Sequence, residues 1–120
     1  MKRYFILALL FSLTNLSAEM VYRHVVLFQY KKSATTAQVE EATAAFKNLK
    51  KEIPQIQAFE WGKECSPEGL SQDISHCYLL TFKNKEDFNI YLKHTKHQAF
   101  VKKFLPIIEK PIVVDYETED

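Results

Sequence analysis

A chain of 120 residues has room for one domain with a modest core and no second domain. Its 16 basic and 15 acidic residues leave a formal charge of +1, which excludes a strongly basic nucleic-acid binder or a polybasic membrane-surface protein.

Met1-Lys2-Arg3 forms a positive n-region. Tyr4 to Leu13 is an apolar run too short to span a bilayer, and Thr14 to Ala18 ends in small residues. The pattern is that of a secretory signal peptide over 1–18, cleaved after Ala18 and leaving a secreted or periplasmic domain over 19–120. Cleavage removes Lys2 and Arg3 and takes the formal charge from +1 to −1, with neither nucleic acid nor membrane expected as a partner afterwards. In an oxidising compartment Cys65 and Cys77 become a disulfide candidate, whose closed loop would contribute about 3 kcal/mol. Two small packed thiols are the alternative. Neither cysteine belongs to a C-x-x-C or a short Cys/His cluster, so no metal is expected.

Tyr22 to Tyr30 is rich in β-branched and aromatic residues and reads as a strand. His24, Val26 and Phe28 fall on one face and Val25, Leu27 and Gln29 on the other, so both faces should be covered. Thr35 starts a helix as N-cap, with Gln38 as its capping-box partner. Val39, Ala42, Phe46, Leu49 and Ile53 form its apolar stripe, and Pro54 ends it. Ile56 to Glu64 is a second strand with Phe59, Trp61 and Lys63 on one face. A turn-rich loop over 66–74 follows. The third strand, Ser75 to Phe82, puts His76, Tyr78, Leu80 and Phe82 together. Asn84 caps the next helix, with Asp87 in its first turn. The chain bends near His94 to Lys96, runs helically from Gln98 to Ile108 and is broken by Pro106 and Pro111. Ile112 to Glu117 is the last strand.

The order β-α-β-β-α-β is that of a ferredoxin-like α+β domain, a four-stranded antiparallel sheet with helices on one face. The uncovered face is apolar, and a homodimer that buries sheet against sheet is the simplest way to cover it. Within the second helical region, Tyr91-Leu92-Lys93-His94-Thr95-Lys96-His97 would stack Tyr91, His94 and His97 along one side if the helix were continuous. A phenol and imidazoles at the rim of an apolar space suit proton transfer.

Several collinear motifs resemble the stress-responsive A/B barrel proteins, which are dimeric α+β barrels. They are His-Val-Val-Leu-Phe at 24–28, Trp61-Gly62-Lys63, His76, Tyr91-x-x-His94-x-x-His97-x-x-Phe100 and Asp115-Tyr116. One plant member of that family closes a linear polyketide by a cofactor-free intramolecular aldol condensation. The resemblance implies His97 as general base and Tyr91 as hydrogen-bond donor, with His24 and Asp115 in support. Asp115 is then expected to orient His97. His24, Val26, Phe28, Phe46, Tyr78, Leu92 and His94 are the expected ligand-binding residues of a pocket between sheet and helices. No cofactor is implied. A binding module that holds a small apolar molecule without chemistry is the first reading, and an aldol-type cyclase or lyase is the alternative. Haem-degrading and monooxygenase-like dimeric barrels share the fold class, and Trp61 beside a histidine leaves them as a weaker alternative by analogy.

Overall fold

The computed structural model describes residues 2–4 and 19–120, and the expected signal peptide over 1–18 lies outside the described residues except for residues 2–4. In chain order the elements are β1 (Met20–Tyr30), α1 (Thr36–Glu52), β2 (Ile56–Lys63), β3 (His76–Phe82), α2 (Lys85–Lys93), α3 (Thr95–Phe104), a 3₁₀ turn (Leu105–Ile107) and β4 (Ile108–Glu119). The strands form one antiparallel sheet in the order β2-β3-β1-β4, the ferredoxin-like arrangement.

Local chemistry sets the helix starts. Thr35 and Gln38 exchange both bonds of a capping box, and the Asn84 side chain accepts from the Asp87 amide. α1 buries Ala42, Phe46 and Leu49 at helical spacing, with Ile53 fully buried at its C-cap. These side chains pack on Val26, Phe28, Tyr78, Leu80 and Phe82 from the central strands, and α2 and α3 add Phe88, Tyr91, Phe100 and Phe104. Much of this core is aromatic. Phe46 lies 4.8 Å from both Tyr78 and Phe100 and 5.3 Å from Phe59, ring centre to ring centre.

The C-terminal third differs from the sequence expectation. Helix was expected to Ile108 and strand only from Ile112, whereas α3 ends at Phe104 and β4 already begins at Ile108. Pro106 offers no amide hydrogen and its ring collides with the preceding turn, so the chain tightens into the 3₁₀ turn and leaves as strand. Pro111 fits within β4 because β4 is an edge strand, paired with β1 alone.

Side chains facing the helices alternate with those facing away. On the helix side, β1 and β4 pair His24 with Asp115, Val26 with Val113 and Phe28 with Pro111. On the other side lie Val25, Leu27, Leu79, Ile112, Val114 and Tyr116, and no described helix covers them. Val114 is 53% exposed and Tyr116 45%.

The expected disulfide is not formed, since Cys65 and Cys77 are both free. Cys77 pairs in register with Gly62, which leaves Cys65 beyond the end of β2 in the exposed connection. Burial pushes the Cys77 thiol pKa up, with smaller contributions from Glu64 and Cys65.

Candidate active site

The β1–β4 register builds the first part of the site. His24 and Asp115 are cross-strand partners on the helix side, and a slip of one residue would send both to the opposite face. The His24 Nδ1–H donates to Asp115 Oδ1 at 2.6 Å. Asp115 Oδ2 accepts from the Tyr22 hydroxyl at 2.7 Å, so both carboxylate oxygens are engaged. Burial lowers the His24 pKa, against the opposing pull of the Asp115 carboxylate. The imidazole is therefore neutral near pH 7, with Nδ1 protonated and Nε2 left as acceptor. Burial, then the bond to Asp115, pushes the Tyr22 hydroxyl up to about 12.

The second part comes from the junction of α2 and α3. His94 leaves helical geometry (φ −65°, ψ 136°), so Tyr91, His94 and His97 do not stack along one helix side. His94 turns to cap α3, its Nδ1 accepting from the Lys96 amide at 3.1 Å. The break folds α3 back so that the His97 and Tyr91 rings meet at 4.3 Å, while the Tyr91 ring lies 5.8 Å from that of His24. His97 Nδ1–H donates to the Leu92 carbonyl at 3.1 Å, which leaves its Nε2 as acceptor. Burial lowers the His97 pKa, the Leu92 bond raises it, and nearby His24 lowers it further. Burial also raises the Tyr91 pKa, so its phenol stays protonated and serves as a donor.

His24, Asp115, Tyr91 and His97 line one cavity of about 420 Å³, within the range of small-molecule sites. The rest of its wall is apolar and includes Val26, Phe28, Phe46, Leu92, Phe100 and Ile108. Of the expected residues, the structure brings together His24, Val26, Phe28, Phe46, Tyr91, Leu92, His97 and Asp115 around this space. Two are not part of the lining. His94 is occupied by its cap, and the Tyr78 hydroxyl is bonded to Thr43 at 2.8 Å and Tyr30 at 3.0 Å. The expected pairing of Asp115 with His97 is replaced, because strand register gives the carboxylate to His24 and helix geometry gives His97 to a carbonyl. Tyr22, bonded to Asp115, and Phe88, in the cavity wall, were not among the expected site residues. Tyr22 shares the His24 face two residues earlier, a signal present in the strand pattern. Among the described residues no group of three or more His, Cys, Asp or Glu side chains is placed to hold a metal.

The buried histidines have a consequence for pH. His24, His76 and His97 all have folded-state pKa values below the ordinary 6.5. Between 6.5 and those lower values the unfolded chain binds more protons, so stability is full above about 6.5 and is lost as the pH falls through the folded-state values. Urea midpoints measured from pH 8 to pH 5 should fall below pH 6.5. A midpoint that rises over that interval would contradict the assignment.

The comparisons with known proteins agree with this architecture. The Stress responsive A/B Barrel Domain model matches residues 22–118. The stress-response A/B barrel domain-containing protein HS1 of Arabidopsis thaliana is 35% identical over 95 residues, covering 79% of this chain and 87% of that one. Olivetolic acid cyclase of Cannabis sativa is 28% identical over 97 residues, covering 81% and 96%. Among solved structures, the hydroxynitrile lyase of Passiflora edulis superposes with a TM-score of 0.79 at 27% identity, over 83% of this chain and 94% of that one. A dimeric ferredoxin-like protein of unknown function from Jannaschia superposes with a TM-score of 0.71 at 25% identity, covering 82% and 99%. The chain belongs to the stress-responsive A/B barrel domain family.

Proposed function

We propose that the protein is an exported homodimer that holds a small apolar molecule in the cavity beside Tyr91 and performs cofactor-independent acid–base chemistry on it. The observation that carries this reading is the His24–Asp115 pair, 2.6 Å apart, at an apolar cavity that Tyr91 and His97 also line. A neutral imidazole held in one tautomer by a carboxylate is a base, and a protonated phenol is a donor for a developing oxyanion. His24 Nε2 takes a proton from an acidic O–H or C–H next to a carbonyl or nitrile. Tyr91 donates to the oxygen that gains charge, and the proton taken by His24 Nε2 is returned to the product, with His97 Nε2 as an acceptor for a substrate hydroxyl. For a cyanohydrin, the hydroxyl proton passes to histidine while the C–CN bond breaks. Cyanide leaves with the bonding pair and is protonated to hydrogen cyanide.

Two relatives support this chemistry, one a hydroxynitrile lyase and the other a cyclase by name. Export separates the protein from cytoplasmic thioester intermediates, so a free small molecule is the fitting substrate class. A binding-only role is the second reading, supported by the wall around the four polar residues, which is otherwise apolar.

The test is a thermal-shift ligand screen on wild type and on His97→Ala, followed by aldehyde release from an aromatic cyanohydrin. Ligands that stabilise wild type by several degrees and His97→Ala by much less support the site. Hits bound equally by both argue against a role for His97, and bound ligands without turnover favour the binding-only reading. The uncovered sheet face and the dimeric description of the Jannaschia neighbour support the homodimer. Light scattering should return about twice the mass of the mature chain, and a monomer at micromolar concentration would refute it. Mass spectrometry of the protein from an exporting host should place the mature N-terminus at Glu19.

A further inference from the structure

A second cavity lies on the helix side of the sheet between α1 and the β2–β3 edge. It measures about 540 Å³ and shares no lining residue with the first. Tyr78 stands between the two, touching Phe28 and Phe46 of the first cavity and His76 and Trp61 of the second. Nothing in the acid–base reading uses this space.

Its wall is built from two patterns. On α1, Thr36, Val39, Glu40, Thr43 and Lys47 recur at helical spacing beside the buried stripe, so they face the strands as one strip. On the sheet, Trp61, Lys63 and His76 share the helix side, and Lys63 is the direct register partner of His76. Trp61 and His76 lie with their ring planes within 7° of parallel and their centres 5.9 Å apart. The indole is 41% exposed, which is unusual for the single tryptophan of a small domain. His76, whose Nδ1 is bonded to Ser75 Oγ at 2.8 Å, is part of the cavity wall.

The charge at this cavity is biased. Lys47 and Lys63 contribute two cations against the one carboxylate of Glu40, and burial with Lys63 nearby lowers the His76 pKa, leaving the imidazole neutral. Neither lysine takes an acidic partner among the described residues. An exposed indole offers a face to a planar ring, and ammonium groups at its margin attract a negative substituent. We propose that this cavity is a second ligand site, taking a planar aromatic carboxylate whose ring lies on Trp61 and whose anion sits between Lys47 and Lys63.

The single indole N–H makes the test direct. In proton–nitrogen correlation spectra, 2-naphthoate should shift the Trp61 indole signal saturably. The neutral isostere 2-naphthamide should bind at least tenfold more weakly. Lys47→Gln and Lys63→Gln alter exposed side chains, so folding is retained and is verified in the same spectra. Each should weaken 2-naphthoate at least threefold, the double variant at least tenfold, and neither should change 2-naphthamide. The proposal is overturned if the indole signal stays still at millimolar 2-naphthoate, if the amide binds as tightly as the acid, or if the lysine variants bind like wild type. Shifts confined to the amides of Leu92 and Val101 would place the probe in the first cavity and overturn it equally. His97→Ala should leave the Trp61 response intact, so failure of the acid–base reading and failure of this one are distinguishable.

Discussion

Asp115→Asn is expected to slow turnover of any substrate that the wild type converts by about a hundredfold or more, the scale of a general base made ineffective. The carboxylate is what holds the His24 pKa up against burial, and it stabilises the imidazolium that forms when His24 takes a proton. An amide keeps the shape and removes the charge. Burial then acts alone, the His24 pKa falls further, and the base weakens. The substitution also replaces two hydrogen bonds to a charged acceptor, each worth about 1.5–3 kcal/mol, with weaker ones, so some stability is lost as well. Tyr22→Phe separates these effects, because it removes one bond to Asp115 and keeps the carboxylate. It should cost less than about tenfold in rate. An NMR titration of His24 is a second readout that needs no substrate, and its midpoint should drop in Asp115→Asn. If Asp115→Asn stays within threefold of wild type while His97→Ala is inactive, His97 is the base and the role given to His24 is wrong.

That contrast between the two histidines also marks where the sequence stops being informative. The fold was legible because its signals are local. Thr35 with Gln38, Asn84 with Asp87, the stripe on α1 and the alternation in β1 are each set within a few residues, and the structure repeats them. The candidate site residues stood out as types, since a phenol, imidazoles and a carboxylate contrast with apolar neighbours. Their partners were not. Whether Asp115 reaches His24 or His97 depends on the register of two strands 91 residues apart and on the bend at His94. Neither is encoded in spacing alone. A continuous helix would have aligned His94 with Tyr91 and His97, and the non-helical ψ at one residue removes His94 and brings the outer two rings together. The second cavity was missed for the same reason. Trp61, His76 and Lys47 come from three elements, and only the packed sheet and helix bring them to one space.

The two cavities depend on one aromatic core, and Phe46→Ala should expose that dependence. Phe46 is 2% exposed and packs against Phe28, Phe59, Tyr78 and Phe100. Truncation removes a buried ring and leaves a void that rigid aromatic neighbours fill poorly, a loss of about 3–5 kcal/mol. For a domain of this size the melting temperature should fall by more than about 12 °C. Leu80→Ala is the matched control, since Leu80 is fully buried and lines neither cavity. It should cost about 2–5 kcal/mol and leave ligand preference unchanged. Phe46 also forms part of the wall beside Tyr91 and His97, so its removal enlarges that cavity. Phe46→Ala should therefore shift the thermal-shift hits toward bulkier apolar molecules, which fill the void and restore part of the lost stability. Loss of stability in both variants with a change of ligand size in Phe46→Ala alone would separate the packing role of the ring from its role as a wall. A Phe46→Ala protein within about 1 kcal/mol of wild type in urea would mean that the aromatic cluster does not hold the helices to the sheet.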